Sequence, residues 1–482
     1  MVEQAGTDRI VVPFTGPGAG TAPLTWGQKA ILHDMRETGW ALNLSAVHVL
    51  PAGTTVADVA ARLAGLISRY PALRMRLDTA ENGDPLQVVH HSGQVSMSVV
   101  DVPDAEEPAD VLRRANDLWH QRLFTRLDLY RDWPMRMTVF RHRGLAACQV
   151  WTLPEILVDV TSFNLIMEDL TSGDTSDRRL GDPRATGILD LGRRERTPAL
   201  RRTSDRAMRY WESHVRHIPP LTFGEPSHPE GRLGRRYWHG RFSSPAAHLA
   251  MLAIAQRTRT DSSRVLLALI ATAITRVTGV NPLTAKVILN NRFRPGFAGA
   301  IASLSQNSVL TLDLAGATID EAVARARRVS LAAGMYAYYD PDQLEELTAR
   351  LDGERGYPAR VTCRINDRRV TTRPKSVIDA GVRVTMEGIT ERMPATFLSW
   401  DGTLENVPEQ AFISVEDYPD TVYLQVIFDM ACFTEAQVEA LLYGVEEVAV
   451  AAAFDPAVPT LARAGLNGSP FAALPALPRD RQ

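Results

Sequence analysis

Cysteine is scarce: Cys148, Cys363 and Cys432 are the only three in 482 residues, far apart, each in an apolar or strand-like run. No CxxC pair exists, so neither a disulfide framework nor a zinc ribbon is expected, and the three read as reduced core residues of a cytoplasmic protein. Lysine is equally rare. Lys29, Lys286 and Lys375 are the only ones among 53 basic residues, a skew toward arginine that fits GC-rich coding. Neither sign of charge dominates. The formal net charge is −3, so composition gives no reason to expect nucleic acid or a membrane surface as partner. No apolar run reaches the ~20 residues that a bilayer-spanning helix needs. The first ten residues lack the basic-then-apolar pattern of a secretory leader. A GxSxG elbow, a dinucleotide fingerprint and a Walker loop are also missing. The GPGAG run at 16–20 is not followed by Lys-Ser/Thr, so it is no phosphate loop.

What is present is ample core material: 45% of residues are apolar and 23% charged. The length suits two domains or one two-lobed body. Residues 1–22 read as a flexible lead-in and 464–482 as a flexible tail. Between them, helix-period and strand-period patterns alternate. Amphipathic helices are predicted at 23–35, 54–69 and 108–125, with strands at 43–50, 73–77, 86–90 and 95–102. A strand pair is predicted at 135–141 and 146–153 around the turn His142 to Gly144. An Arg/Asp/Gly/Thr-rich stretch, placed at 181–206, reads as a linker between a first lobe (23–180) and a second (207–463). The second lobe repeats the grammar, including a helix at 262–278 capped by Asp261 and stopped by Gly279. The expectation is α+β, given twice.

The informative stretch is 148–170, CQVWTLPEILVDVTSFNLIMEDL. It opens as a buried strand and closes as a helix, with Phe163, Ile166, Met167 and Leu170 on one face. The joining loop holds two carboxylates four apart, Glu155 and Asp159. Spacing alone favours a plain reading: Asp159 caps the helix and Glu155 is solvated. The other reading places Glu155 over a cleft as a working group. His90-His91 reads as a surface turn. His214 and His217, with only Glu212 near and no cysteine, are too thin for zinc. No metal site is expected.

Several stretches occur together in a familiar order. Pro23-Leu24-Thr25-Trp26-Gly27-Gln28 is followed by Ser68-Arg69-Tyr70-Pro71-Ala72-Leu73-Arg74, then by Met208-Arg209-Tyr210-Trp211. Asn291-Arg292 then precedes Gln306-Asn307-Ser308, and the chain closes on Phe454-Asp455-Pro456. Across about 23–460 this resembles a condensation domain of the nonribosomal peptide synthetase type, part of the chloramphenicol acetyltransferase-like family. The resemblance implies two such lobes in a V-shaped pseudo-dimer with a cleft between them. The family's active loop, HHxxxDG with a serine two residues beyond, falls on 154–162. Asp159 and Ser162 match it. Pro154 and Glu155 stand at the two histidine positions and Val160 at the glycine.

By resemblance, Glu155 occupies the place of the catalytic histidine, and Pro154, Asp159, Val160, Ser162 and Arg74 shape the active loop. Asp159 is expected to pair with Arg74. Asn291, Arg292 and Asn307 are cleft candidates. Glu155 can only accept hydrogen bonds when ionised, whereas imidazole donates and accepts. Pro154 fixes φ and removes an N–H, and Val160 narrows a point where glycine allows close approach. The implied function is a stand-alone protein of nonribosomal peptide biosynthesis acting in trans on carrier-protein-bound acyl or peptidyl thioesters. Its acyl-transfer or cyclisation chemistry would be altered. The alternative is a catalytically silent scaffold that recruits a tailoring enzyme or carrier protein. No cofactor is expected to be bound permanently. The phosphopantetheine arm of a carrier protein would serve as substrate tether, and carrier proteins of a peptide or polyketide assembly line would be the partners.

Overall fold

A computed structural model describes residues 7–171, 186–224, 236–369 and 383–462. The chain divides into two compact units. The first comprises Met1–Thr203 together with Asn290–Gln306 and Tyr339–Pro341, and the second comprises the remaining segments from Ser204 onward.

The first unit carries β1 (Thr7–Thr15), β2 (Gly20–Pro23), α1 (Trp26–Thr38), β3 (Asn43–Val49), α2 (Val56–Arg69), β4 (Met75–Thr79) and β5 (Pro85–Val89). It continues with β6 (Ser92–Val102), α3 (Pro108–Leu123), β7 (Arg136–His142), β8 (Leu145–Pro154), α4 (Val160–Thr171) and α5 (Ile188–Arg194). Helix α6 (Pro198–Val215) leads into the second unit. There follow β9 (Tyr237–Ser244), α7 (Pro245–Thr258), α8 (Ser262–Thr278), β10 (Leu283–Leu289), β11 (Gln306–Leu312), α9 (Ile319–Met335) and α10 (Pro341–Arg355). The last elements are β12 (Cys363–Asp367), α11 (Met386–Thr390), β13 (Phe397–Leu404), β14 (Ala411–Glu416), β15 (Val422–Asp429) and α12 (Glu435–Ala452).

The first unit holds a five-stranded sheet, β1-β6-β7-β8-β3, and a small sheet, β2-β5-β4. Strand β8 is buried along nearly all its length because both faces are covered. Trp151 and Leu153 join the main core with Leu63, Leu66 and Ile67 of α2. Cys148 and Val150 cluster instead with Val111 and Ala115 of α3. That double burial is why the run preceding the loop is continuously apolar. The second unit is built on a seven-stranded mixed sheet, β11-β10-β12-β14-β15-β9-β13, with α7, α8, α9 and α12 contributing to its core. Helix α8 starts at the Asp261 cap and ends at Gly279 in the left-handed region, φ 74°. Each unit is thus mixed α+β. Among the described residues, no helix is long and apolar enough to cross a membrane.

Three boundary expectations are corrected. Residues 1–22 are not a flexible lead-in over their described part. β1 pairs antiparallel with β6 from Thr7↔Val100 to Thr15↔Ser92, and β2 pairs with β5. Val12 and Phe14 alternate inward along β1 while Val11 is 56% exposed, so one face of the strand pays its ordering cost through burial. Nor is 181–206 a plain linker. Its described part forms α5, which buries Ile188 and Leu191, and the first half of α6. Finally, the second lobe is not simply 207–463, because Asn290–Gln306 returns to the first unit. The tail at 464–482 lies outside the described residues.

Candidate active loop

The loop is clamped at both ends. At its start, Pro154 is the last residue of β8, in register with Asn43, and is buried. Proline brings no N–H to a ladder that ends there. The next N–H, of Glu155, donates to Leu42 O at 2.8 Å. Leu42 bends the partner chain with φ 46°. A turn follows, with Leu157 N donating to Pro154 O at 3.0 Å. Ile156, Leu157 and Val158 are completely buried. Glu155, preceding this apolar turn, is half-buried. Val160, on the far side of the loop, is half-buried as the first residue of α4.

At its end, Asp159 caps α4. Its carboxylate Oδ1 accepts from Ser162 N at 2.8 Å, and its backbone carbonyl accepts from Phe163 N at 2.8 Å. The same carboxylate is only 4% exposed and is an ion-pair partner. Arg292 Nη2 donates to Oδ1 at 2.5 Å, while Leu304 N and Ser305 Oγ donate to Oδ2 at 3.2 and 3.3 Å. Both oxygens are therefore engaged, and Asp159 is a framework group, unavailable as a base. Ser162 completes the frame. Its Oγ donates to Ala302 O at 2.8 Å and accepts from Arg292 Nη2 at 2.7 Å and Ala302 N at 3.0 Å. Arg292 Nη1 donates to the carbonyls of Phe297, at 3.1 Å, and Ala300.

The expected Arg74–Asp159 pair does not form. Arg74 is completely buried, but its guanidinium is occupied by four backbone carbonyls. It donates to Ile67 O (3.0 Å), Gly16 O (3.1 Å), His90 O (2.5 Å) and Pro17 O. A planar fork of five donors suits such a cluster of carbonyls. Arg74 thus ties β1's end to α2 and β5 and does not sit under the loop. Asp159's cation is Arg292, which reaches it from the returning segment.

Of the cleft candidates, Asn291 and Arg292 belong to this framework. Asn291 is buried in the left-handed region, φ 57°, which asparagine tolerates better than most residues, and its Nδ2 donates to Leu304 O at 2.9 Å. Asn307 falls in the second unit and is half-buried. Sequence reading missed Ser305 and Gly27. A Cβ on Gly27 would stand 1.9 Å from Ser303 O, so the first turn of α1 packs backbone-to-backbone against the same segment. A glycine inside the first turn of a capped helix was the available signal.

Burial pushes the Cys148 thiol up to about 11, Cys363 up to about 12 and Cys432 up to about 11, so none is a ready thiolate. Among the described residues, no three His, Cys, Asp or Glu converge as metal ligands. His90 is not a free surface turn: its carbonyl holds Arg74 and its ring packs edge-on against Trp133, 5.3 Å away. His214 packs at a tilt against Tyr210, ring centres 4.3 Å apart, and bonds to that residue's carbonyl at 2.8 Å.

The condensation-domain family model matches residues 19–354. Among curated proteins, none matches the chain by sequence. Solved structures match over most of the chain. One concerns condensation domain-mediated chain release from the enacyloxin polyketide synthase, with TM-score 0.65 and 18% identity, covering 90% of this chain and 83% of that one. A second is the complex of the X-domain and OxyB from teicoplanin biosynthesis, with TM-score 0.62 and 18% identity, covering 92% and 96%. A third is the condensation domain from the Monacolin K polyketide synthase, with TM-score 0.69 and 15% identity, covering 92% and 100%. At these identities the structures speak for the fold alone. The family match spans α1, the strand leading into the loop, the Asp159 cap and the Asn291-Arg292 segment that holds it, and by that match the chain belongs to the condensation-domain family.

Proposed function

We propose that this protein acts on acyl or peptidyl thioesters carried by the phosphopantetheine arm of a carrier protein in an assembly line of the peptide or polyketide type. Glu155 is its working side chain. The observation that carries this reading is the fixed loop frame. Asp159, Ser162 and Arg292 hold one end, and the Glu155 N–H to Leu42 bond holds the other. Residue 155 is thereby held between two fixed ends, as a half-buried carboxylate next to the buried Ile156, Leu157 and Val158. A carboxylate there has two uses: it accepts a proton from an attacking amine or alcohol, or it anchors an ammonium nucleophile. Most of the rate gain would come from orienting two bound reactants.

A second reading, a silent scaffold for a tailoring enzyme, is favoured by Pro154. A buried proline supplies neither donor nor acceptor from its side chain, so half of the family's histidine pair is chemically blank. The X-domain of the teicoplanin complex has this fold and is seen bound to OxyB. One experiment separates the two. Purified protein is assayed for product with loaded carrier proteins, alongside capture of pathway enzymes on the immobilised chain. The enzyme reading expects Glu155→Gln to reduce turnover by ~10²-fold or more, the usual worth of an acid/base group. Equal turnover removes Glu155 from the chemistry. No turnover by either protein, with a retained partner complex, selects the scaffold.

A further inference from the structure

Helix α9 has two faces of opposite character. Ile319, Ala322, Val323, Ala326 and Ala333 point into the core of the second unit. The outward stripe is Ala324, Arg328, Leu331 and Met335, at i, i+4, i+7 and i+11, with Arg327 beside it. Leu331 is 57% and Met335 61% exposed, large values for apolar side chains so close together. The stripe runs about 16 Å along the helix. At its start it borders a surface depression of about 800 Å³, whose lining includes the acids Asp320 and Glu321 as well as Arg325, Arg327, Arg328 and Leu331.

The charge of this face is unbalanced although acids stand next to it. Asp320 is spent on Arg257, which donates to both its oxygens at 3.0 and 2.6 Å. Glu321 caps the helix, accepting from Thr318 N at 2.9 Å, and leaves one negative charge on the face. Arg325 reaches back to the carbonyls of Asp313 (2.9 Å) and Ala315 (3.2 Å). Among the described residues, Arg327 and Arg328 pair with no acidic side chain and both are exposed. A chain of net charge −3 thus shows a local face on which Arg325, Arg327 and Arg328 outnumber the one carboxylate, Glu321, left after Asp320 pairs with Arg257, set against leucine and methionine. Arginine and methionine are residue types enriched at protein interfaces.

We propose that this face of α9 docks a small acidic helical protein, which, resting on the functional reading above, is the loaded carrier protein. Charge complementarity selects an acidic partner. Alternation of basic and apolar groups over a helical length selects a helix lying along α9, as opposed to a phosphate backbone or lipid headgroup, which would leave Leu331 and Met335 unused.

The test compares wild type with Arg327→Glu/Arg328→Glu and with Leu331→Ser/Met335→Ser, all exposed positions whose folding is checked by circular dichroism. Two substrates are used: an acyl-loaded holo-carrier protein and the N-acetylcysteamine thioester of the same acyl group. Docking on α9 raises KM for the carrier-bound substrate by about tenfold in the charge-reversed variant, most strongly at low salt, and leaves the small thioester's kinetics unchanged. Equal KM for the carrier in all variants overturns the proposal while the functional reading stands. If wild type turns over neither substrate, the catalytic reading fails and binding of fluorescent holo-carrier decides the docking. A roughly tenfold loss on charge reversal supports it; no binding, or unchanged binding, overturns it. Charge-dependent binding of phosphatidylglycerol vesicles or single-stranded DNA without binding of the carrier also overturns it.

Discussion

Arg292 and Asp159, 133 residues apart in sequence, meet at 2.5 Å in a pair whose side chains are 10% and 4% exposed. The aspartate is at once the cap of α4 and the acceptor for a segment that comes back from the second half of the chain. Arg292→Ala would leave that carboxylate buried with only neutral donors. Loss of one partner of a buried pair costs ~3–5 kcal/mol. Urea unfolding of Arg292→Ala should show a deficit of that size, and Asp159→Asn should lose less because asparagine still caps a helix. Equal and small losses in both would mean that the pair contributes little.

Arg74 predicts a different outcome. Arg74→Ala strips the donor from four carbonyls in three segments: Ile67 in α2, Gly16 and Pro17 after β1, and His90 after β5. A buried acceptor left unsatisfied costs ~1–3 kcal/mol, so the variant should unfold well before wild type. Its first proteolytic cuts should fall near Gly16 and Pro17. Arg74→Lys, with three donors on a point charge, should recover only part of the loss. Wild-type stability in either variant would show that water replaces the guanidinium.

Gly27→Ala is the test of close approach. The new Cβ would press on the Ser303 carbonyl at 1.9 Å, a backbone contact that no rotamer change relieves. Overpacking of this kind costs ~1–3 kcal/mol. Because Ala302 and Leu304 bracket the contact, the frame around Asp159 should shift with it. Amide exchange at Ser162 and Leu304 should quicken, while exchange in α8 should not change.

His248, on α7, gives a pH prediction. Burial holds its ring down to about 4, with Arg369 adding to the effect and Asp420 opposing it. In the unfolded chain the ring titrates near 6.5. The folded value lies below the unfolded one, so the unfolded state takes up the proton first as pH falls. Stability is then whole above 6.5 and declines as pH drops toward 4. His248→Gln should flatten that decline between pH 6.5 and 4 in thermal unfolding. An unchanged slope would place the acid sensitivity elsewhere.

How much of this was legible in the sequence depended on whether the signal was local. Helix α8 could be read to the residue, because its cap at Asp261 and stop at Gly279 are adjacent in sequence to the apolar run they bound. The strand-loop-helix around Glu155 was legible for the same reason, and so was Asp159 as a cap. The Arg292 pairing was not: the resemblance pointed to Arg74, and only the three-dimensional path of 290–306 brings Arg292 to Asp159. Strand β1 was hidden by the glycines that follow it and by a partner, β6, whose paired residues lie 77 to 93 positions away. Strands β12 and β14, short interior strands, and β13, a half-exposed edge strand, were not read from the sequence.

The return of Asn290–Gln306 to the first unit bears on how the chain matures on the ribosome. When residue 203 emerges, the first unit has its sheets but lacks the strand of chain that satisfies Asp159 and Ser162. Arg292 is made nearly ninety residues later, so the frame around Glu155 can be completed only after residue 304 has been made. A fragment ending near Thr203 should therefore be a sheet without a finished site. A cut in the second unit's early helices, with both pieces supplied together, should restore the loop only when the piece holding Arg292 finds its place.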